Sequence, residues 1–435
     1  MNEINIIGAG LAGAEAAWQV AKAGVAVRLF EMRPNTMTPA HKTEDPAELV
    51  CSNSLGNLNP EKASGLLKSE LRQLGSLLIS CADLAAVPAG QSLSVDRKEF
   101  SRLIKEKLES HPLITIIREE VADVPENGIA IIASGPLTSP ALAENLQKYF
   151  GKDLLYFFDA QSPVVTYESL NPAKIYRAGR YRPEEKDYLN CPLNQEEYLR
   201  FYQELISAEL APVKDFEKKH FFEGCLPVEE IASRGVDTLR FGPFKPVGLP
   251  DPETGEIAYA VLQLRQEDKA GELYGLVGCQ TRLKWSEQTK VFRLIPGLEN
   301  AEFVRLGVMH KNIYLSAPLT LLPTNQSKIN PNLFLAGQVT GVEGYVECIT
   351  GGFMAGTNAA RLALGKEPLI PPRETAIGSL IYAVTNADPK HFQPVNINFG
   401  LLLANQERVK DKKERNRRIL EKAKIALADF KEAIQ

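Results

Sequence analysis

The N-terminal segment constrains the fold of this chain more than any other feature. A short isoleucine-rich run leads into the turn Gly-Ala-Gly-Leu-Ala-Gly and then into an alanine-rich, helix-like stretch. In this order, Gly8 permits a tight turn, Gly10 lets the backbone approach a pyrophosphate, and Gly13 lets helix and strand pack closely. Glu31 ends a second predicted strand, at roughly the 20-residue spacing expected of a carboxylate that binds a ribose hydroxyl. We therefore predict an α/β, Rossmann-like domain that binds a dinucleotide through Gly8, Ala9, Gly10, Leu11, Ala12, Gly13 and Glu31.

The far end of the chain returns to the same kind of structure. A predicted strand ends at Gly337 and Gln338, and a helix of small residues is predicted to begin at Gly351 and Gly352. In flavoproteins with two dinucleotide folds, such a late strand and helix return to the first domain and place backbone N–H groups near the flavin ring. This resemblance favours FAD as the dinucleotide.

These two ends predict a discontinuous domain organisation. We expect an FAD-binding domain over residues 1–150 plus 324–403, with a mixed α/β RNA or substrate domain, residues 151–323, inserted between its parts. Aromatic, proline and basic residues become more frequent in the middle of the chain, which favours functional loops there. A basic C-terminal helix is predicted over residues 404–435, either with a solvated charged face or as an RNA contact.

One segment of the middle region combines cations with tyrosines. Residues 174–182 contain four cations and two tyrosines without an acidic residue. That combination suits contacts to RNA phosphates together with stacking on bases. A solvated surface loop explains the same composition equally well. The candidate RNA-binding residues are Lys174, Tyr176, Arg177, Arg180, Tyr181 and Arg182.

The cysteines provide the candidate nucleophiles. Six cysteines are scattered along the chain without a CxxC pair, which argues against a zinc site and against a compact disulfide framework. Cys51 heads a polar, turn-prone segment and Cys225 lies between a glycine and a leucine-proline pair, so both are predicted to present thiols on loops. The histidines show no HxxxH or HExxH spacing, and the GxSxG motif of hydrolases is absent. We predict no metal site and take Cys51 and Cys225 as the candidate catalytic residues.

Composition limits the class of protein further. The chain has 435 residues, 44% of them apolar and 24% charged, as is usual for globular proteins of about two or three domains. A formal net charge of −4 gives no global attraction to polyanions, so a nucleic-acid partner would need a local basic patch. No run approaches the roughly 20 apolar residues of a membrane span, and no secretory signal pattern is recognisable at the N-terminus. We expect a cytoplasmic protein without a membrane partner.

Several segments together carry a resemblance to one family. They are INIIGAGLAGAEAAW, LVCSNSLGN, FEGCLPVEEIASRG, LRFGPFKPVGL, LRQED, RLIPGLENAEFVRLGVMHKN and LFLAGQVTGVEGYVECITGGFMAG. On these segments the chain resembles the folate- and FAD-dependent tRNA (uracil-5-)-methyltransferase family of bacteria, up to about Leu403. Several of them are specific to that family rather than shared by flavoproteins in general.

The resemblance implies a specific chemistry. Carbon 5 of uracil is a poor nucleophile until a thiolate adds to carbon 6, which explains the need for a cysteine. In this family the methylene of 5,10-methylenetetrahydrofolate reaches carbon 5 of a T-loop uridine in tRNA (position 54) by way of the reduced flavin, and NADH or NADPH reloads the flavin. By this resemblance Cys225 attacks the uracil ring, and Cys51 is a second thiol that assists or protects it. The residues that border the flavin are then Gly337, Gln338, Gly351 and Gly352.

Other functions fit parts of the same sequence. The same chemistry could act on a uridine of ribosomal RNA. An NAD(P)H-dependent FAD oxidoreductase for a small molecule would need neither thiol loop, and a non-enzymatic RNA-binding flavoprotein would keep Arg177 and its neighbours without needing Cys225. The related family that modifies the wobble uridine of tRNA shares the glycine motifs, but it is longer and lacks both cysteine motifs.

Overall fold

The computed structural model describes residues 3–182, 184–212, 226–403 and 411–434. In chain order its strands are β1 (Glu3–Ile7), β2 (Ala26–Phe30), β3 (Ser54–Asn57), β4 (Ala86–Val87), β5 (Ser92–Val95), β6 (Ile114–Ile117), β7 (Ala130–Ile132), β8 (Leu155–Ala160), β9 (Val164–Thr166), β10 (Tyr176–Arg177), β11 (Tyr188–Leu193), β12 (Ala260–Gln266), β13 (Leu273–Leu276), β14 (Phe303–Arg305), β15 (Met309–Tyr314) and β16 (Leu333–Leu335). Its helices are α1 (Leu11–Lys22), α2 (Ala63–Leu74), α3 (Leu77–Leu84), α4 (Arg97–Glu109), α5 (Pro140–Phe150), α6 (Gln195–Ser207), α7 (Val228–Ala232), α8 (Thr238–Phe241), α9 (Trp285–Phe292), α10 (Ala317–Thr320), α11 (Tyr345–Ala363), α12 (Ala376–Asn386), α13 (Phe399–Leu403) and α14 (Lys412–Ile434).

Five strands form a parallel sheet in the order β16-β7-β1-β2-β6. The central strand β1 places Ile6 opposite Ile131 of β7 on one side and opposite Leu29 of β2 on the other. These side chains are fully buried, as expected of parallel strands that are covered on both faces. Because β16 comes from the C-terminal part of the chain and pairs with β7, the sheet is assembled from both ends of the sequence. The predicted α/β class with a Rossmann-like parallel sheet is confirmed.

A second sheet of six strands, β10-β11-β12-β13-β9-β14, is antiparallel. It has its own apolar core, in which Leu262 of β12 is buried with Phe201 of α6 and Phe292 of α9. The antiparallel pair β8 and β15 lies where the chain passes from the parallel sheet into the second sheet and where it comes back. The short strands β3, β4 and β5 form a further small sheet, directly after Cys51 in the chain.

Helices α1 and α11 pack at unusually close range over the parallel sheet. A Cβ atom added to Gly352 would lie 2.2 Å from the carbonyl oxygen of Ala12, and one added to Gly356 would lie 2.6 Å from that of Ala16. Only glycine therefore allows this approach of the two backbones. The helix begins at Tyr345 rather than at Gly351 and Gly352, so that part of the prediction is wrong. These two glycines serve the packing of a helix interior and do not mark a helix start.

Buried carboxyl groups tie further helices to this core. Glu15 of α1 accepts hydrogen bonds from Ser76 Oγ (2.8 Å) and Leu78 N (3.0 Å) at the start of α3. Glu70 of α2 accepts one from Ala376 N (2.8 Å) at the start of α12. Burial raises the pKa of both groups, that of Glu70 to about 8, although the backbone donors act in the opposite direction. Each side chain satisfies N–H groups that a helix start leaves unpaired, and so joins two helices.

The C-terminal helix α14 packs an apolar stripe against the first core. Its buried residues recur every three or four positions, which is the period of one helix face; they are Ile419, Ala423, Leu427 and Phe430. On the exposed side Arg417 pairs with Glu414 and Glu421. Within the described ranges, no helix is long and apolar enough to cross a membrane.

We predict that Gly352→Ala destabilises the protein by about 1–3 kcal/mol, the usual cost of overpacking a tight core. The added methyl group would meet the backbone of α1 and not a flexible side chain that could move away. Chemical denaturation of the apoprotein, with the free energy of unfolding as the readout, checks this prediction. A free energy of unfolding equal to that of the unaltered chain would show that α1 and α11 can separate without cost.

Candidate cofactor and thiol site

A cavity lies at the carboxyl edge of the parallel sheet, where strands β1, β2, β7 and β16 end. It encloses about 980 Å³ of empty space, part of it open to solvent. Binding sites of open parallel sheets form at this edge because the loops after the strands diverge there. The predicted residues that line it are Gly8, Gly10, Leu11, Ala12, Glu31, Gly337 and Gln338.

The three glycines of the first turn have different physical roles. Gly8 adopts a φ of +98°, and a Cβ atom there would lie 2.6 Å from the carbonyl oxygen of Ala133. A Cβ atom on Gly13 would lie 1.7 Å from the carbonyl oxygen of Gly8, so Gly13 is required by packing. At Gly10, however, an added Cβ atom would meet nothing within 4 Å. Protein packing therefore does not explain Gly10, whereas a ligand phosphate close to the backbone does.

Glu31 is held as a carboxylate at the wall of the cavity. Ala9 N donates to its Oε2 (3.0 Å), while Arg33 Nε donates to its Oε1 (2.9 Å) and Arg33 Nη2 to its Oε2 (3.2 Å). Burial by itself would raise the pKa of Glu31, but the hydrogen bonds and charge of Arg33 lower it below its ordinary value. Arg33, which the sequence analysis did not identify, is 2% exposed and also bonds Glu48 (3.1 Å). The geometry fits a carboxylate fixed in position to accept hydrogen bonds from a ligand hydroxyl.

The C-terminal segment closes the other side of the cavity. Gly337 has a φ of +79°, and its Cβ position lies 2.7 Å from Ala12 Cβ. Gln338 Nε2 donates to Oε2 of Glu343 (2.5 Å). Burial, together with the charges of neighbouring carboxylates, raises the pKa of Glu343 well above its ordinary value. Gly351 faces the backbone N of Gly337, so it supports this loop from behind.

The segment that carries Cys51 is fixed at one end of the cavity by a tyrosine and an arginine. The hydroxyl of Tyr345 accepts from Cys51 N (2.8 Å) and donates to Ser52 O (3.0 Å). Arg97 Nη2 donates to Cys51 O (2.7 Å). Tyr345 itself lines the cavity, so these bonds connect the thiol segment directly to the predicted dinucleotide site. Neither partner could be predicted from the sequence, because both lie far from Cys51 in the chain.

Asn53, two residues after Cys51, extends this connection to the antiparallel sheet. Asn53 is fully buried and donates through Nδ2 to Val95 O (3.0 Å) and Gln266 O (2.9 Å). Its Oδ1 accepts from Arg265 Nε (2.7 Å). The thiol segment therefore contacts the small sheet at Val95 and the antiparallel sheet at Arg265 and Gln266. A buried amide with all of these bonds made strongly favours one position of the segment.

The β8–β15 pair adds buried polar groups beside the thiol. Cys51 Sγ lies 3.8 Å from the carbonyl oxygen of Ala160, at the end of β8. On the same pair of strands, His310 Nε2 lies 3.8 Å from Asp159 Oδ2, and both side chains are buried. Burial lowers the pKa of His310 below its ordinary value, against the opposing charge of Asp159. His310 is therefore neutral at neutral pH, and no sequence spacing marked it.

Among the described cysteines, Cys51 is the one that is not buried. Burial raises the pKa of the Cys81 thiol to about 11, and it raises those of Cys191, Cys279 and Cys348 as well. Those four thiols stay protonated at neutral pH. Cys225 lies outside the described residues. Within the described ranges, no group of three or more His, Cys, Asp or Glu side chains could hold a metal ion.

The residues predicted to bind RNA lie at one edge of the antiparallel sheet, and their polar groups contact other parts of the protein. Lys174, Tyr181 and Arg182 are exposed, Tyr181 with 64% of its surface open to solvent. An RNA contact by this segment stays a prediction. The partners are Glu299 for Lys174, the Leu249 carbonyl for Tyr176, Tyr274 for Arg177, the Lys245 and Val247 carbonyls for Arg180, and Glu185 for Arg182.

Comparison with known proteins identifies the family. The model of the family "Glucose inhibited division protein A" matches residues 3–367. Methylenetetrahydrofolate--tRNA-(uracil-5-)-methyltransferase TrmFO of Pelotomaculum thermopropionicum is 56% identical over 431 residues, 99% of each chain, and that of Enterococcus faecalis is 56% identical over 97% of each. The fold is similar to that of Aquifex aeolicus GidA, with a TM-score of 0.72 at 19% identity over 99% of this chain and 73% of that one. Identity at this level over nearly the full length shows that the chain belongs to the TrmFO family of methylenetetrahydrofolate--tRNA-(uracil-5-)-methyltransferases.

Proposed function

We propose that this protein methylates carbon 5 of a T-loop uridine in tRNA, at position 54, with 5,10-methylenetetrahydrofolate as the one-carbon donor and FADH2 as carrier and reductant. The names of its relatives support folate-dependent methylation of uracil in tRNA. One structural observation carries the proposal: Tyr345 lines the dinucleotide cavity and hydrogen-bonds the backbone on both sides of Cys51. These hydrogen bonds would keep the Cys51 thiol close to the cofactor site, where a transfer between cofactor and nucleobase requires it.

The residues of the cavity fit FAD. Bound FAD, once reduced by NADH or NADPH, would supply the carrier and the reducing equivalents. Gly8 to Gly13 would hold its pyrophosphate, since Gly10 leaves an open space that a side chain would fill. Glu31, ionised beside Arg33, would accept hydrogen bonds from the ribose. Gly337 and Gln338 would border the flavin, with Gly351 and Gly352 behind them.

The thiols would act on the uracil ring. We assign the attack on carbon 6 to Cys225, because addition of a thiolate there makes carbon 5 nucleophilic. Cys51 would be the second thiol, held by Tyr345 and Arg97. Tyr345 and Arg97 bond only backbone atoms of the thiol segment. The Cys51 sulfur itself has the weak contact to the Ala160 carbonyl, so it would be available for chemistry.

The same proposal includes a division of labour along the chain. Residues 1–150 plus 324–403 would bind FAD, residues 151–323 would bind the RNA, and residues 404–435 would form a basic helix at the end. The sheets support this division, since the parallel sheet draws strands from both terminal parts and the antiparallel sheet draws its strands from the middle. Tyr181, exposed beside Arg182, would be the stacking residue of the predicted RNA segment.

We predict that Gly10→Ala weakens FAD binding by about tenfold or more, equivalent to roughly 1.4 kcal/mol, while the apoprotein keeps its stability. The methyl group would occupy the space of the pyrophosphate, and the φ of −69° suits alanine. Titration of the apoprotein with FAD, followed by flavin fluorescence, measures the effect. Gly352→Ala is the matched control, because it should lower stability even without FAD. Unchanged FAD affinity in Gly10→Ala would contradict the placement of the pyrophosphate.

We predict that the purified protein transfers labelled carbon from methylenetetrahydrofolate to tRNA. Incubation with unmodified tRNA transcript and NADPH, followed by nucleoside mass spectrometry, should give labelled 5-methyluridine in the T-loop. Cys225→Ala and Cys51→Ala should each lose this product, because both thiols take part. Cys81→Ala is the control, since that thiol is buried and protonated. In a parallel incubation with unmodified ribosomal RNA, label there alone would establish the other RNA target. NADPH oxidation with neither RNA labelled would point to an ordinary flavin oxidoreductase.

We predict that Tyr345→Phe slows methyl transfer by about tenfold or more while FAD stays bound. The substitution removes both hydrogen bonds to the thiol segment, each worth about 1 kcal/mol, but keeps the ring that lines the cavity. Single-turnover transfer from labelled folate measures the rate. Tyr382→Phe, which alters an exposed tyrosine of α12, should leave the rate unchanged. An unaltered rate in Tyr345→Phe would mean that Arg97 and Asn53 position Cys51 without it.

A further inference from the structure

Three arginines surround a single buried carboxylate next to the thiol segment. Glu267, 6% exposed, lies 2.8 Å from Arg97 Nε, 3.7 Å from Arg265 Nη2 and 3.8 Å from Arg305 Nη2. We call Arg97, Arg265, Arg305 and Glu267 the arginine cluster. It brings three positive charges to one negative charge at the junction between the thiol segment and the antiparallel sheet.

The three guanidinium groups differ in how many of their N–H groups have hydrogen-bond partners. Arg97 bonds Glu267 and the backbone carbonyl of Cys51, and Arg265 Nε bonds the side chain of Asn53. Arg305 has the 3.8 Å contact to Glu267, and its buried Nε has no hydrogen-bond partner among the described residues. Its side chain is 24% exposed, so an incoming group can reach it. Among the described residues, Arg305 is thus the member of the cluster whose Nε donor is buried without a hydrogen-bond partner.

Arg305 remains positive in this surrounding. Burial, and then the positive charge of Arg97, lower its pKa to about 10, which still leaves it ionised at neutral pH. A partly buried cation without a close counter-ion costs free energy. An anion supplied by a ligand would offset that cost, and a guanidinium group matches phosphate with its planar pair of donors.

We propose that Arg305 binds a backbone phosphodiester of the tRNA, next to the uridine that is presented to Cys51. This inference rests on the proposed function. Arg97 bonds both Glu267 and the Cys51 carbonyl, so the contacts of Glu267 and Arg97 connect Arg305 to the thiol segment. A nucleotide that leaves its base stack turns about its own backbone, and its phosphates therefore arrive close to the base. Arg305 is accordingly a positioning residue for the RNA substrate.

Salt dependence of tRNA binding tests this site. Loss of one phosphate contact lowers the slope of log affinity against log salt by about 0.7 to 1. We expect that reduction for Arg305→Gln and Arg305→Met in the FAD-loaded enzyme, measured by filter binding of unmodified tRNA transcript between about 50 and 200 mM salt. Arg305→Lys should retain most of the slope. Arg102→Gln, which removes an exposed arginine paired with Glu99, is the control.

Two further measurements separate this site from a structural role. The thermal midpoint of Arg305→Met should not fall, because the variant removes a positive charge that repels Arg97 and has only a 3.8 Å contact to a carboxylate shared with two other arginines. The affinity for methylenetetrahydrofolate, measured by equilibrium dialysis, should not change. A wild-type slope in both neutral variants would overturn the inference, as would a loss of folate affinity with the slope intact, which would assign Arg305 to a carboxylate of folate. Failure of the unaltered enzyme to bind tRNA at all would contradict the proposed function itself.

Discussion

The close contact between α1 and α11 is the constraint on which the site depends. The turn predicted to bind phosphate lies at the start of α1, and Tyr345 lies at the start of α11. Because Gly352 lies against the backbone of Ala12, the two helix starts are kept at a fixed separation. That separation sets the distance from the predicted pyrophosphate position to the thiol segment. A bulkier residue in the helix interior would therefore change the geometry of the chemistry without touching a ligand.

Cys51 is positioned by groups from several distant parts of the chain. Tyr345 comes from the C-terminal part, Arg97 from the start of α4, and Asn53 reaches strand β12 through Gln266. A neutral hydrogen bond contributes about 1 kcal/mol and one to a charged group roughly 1.5–3 kcal/mol. Together they oppose the conformational freedom of a turn-prone segment. In the proposed reaction, the thiol would meet the substrate without first ordering its own loop, which would lower the entropic part of the barrier.

The sequence predicted those features that local patterns encode. The turn from Gly8 to Gly13 and the buried parallel strands follow from spacing and apolar runs. The predicted start of α11 was wrong because Gly351 and Gly352 resemble the beginning of a helix. Both lie in the helix interior, where Gly352 allows the close contact with α1. The arginine cluster could not be predicted, since its members meet only after two sheets have formed. The prediction of the substrate came from the resemblance to a family, because no periodicity of this chain encodes a substrate.

A segment rich in cations does not by itself give a folded surface with positive charge free to bind a ligand. The segment around Arg177 combines four cations with two tyrosines in nine residues, yet Arg180 donates to the carbonyls of Lys245 and Val247. Those bonds stabilise the sheet edge and leave fewer donors for a phosphate. Arg305, in contrast, has no neighbouring cation in its strand, and the positive charge around it exceeds the negative charge because Arg97 and Arg265 contact the same carboxylate, Glu267. The positive charge that a folded protein offers to a nucleic acid therefore depends on how many hydrogen-bond and ion-pair partners each cation already has in the fold. For this reason the arginine cluster at Glu267 is the stronger candidate for contact with the RNA backbone near the uridine of the proposed reaction.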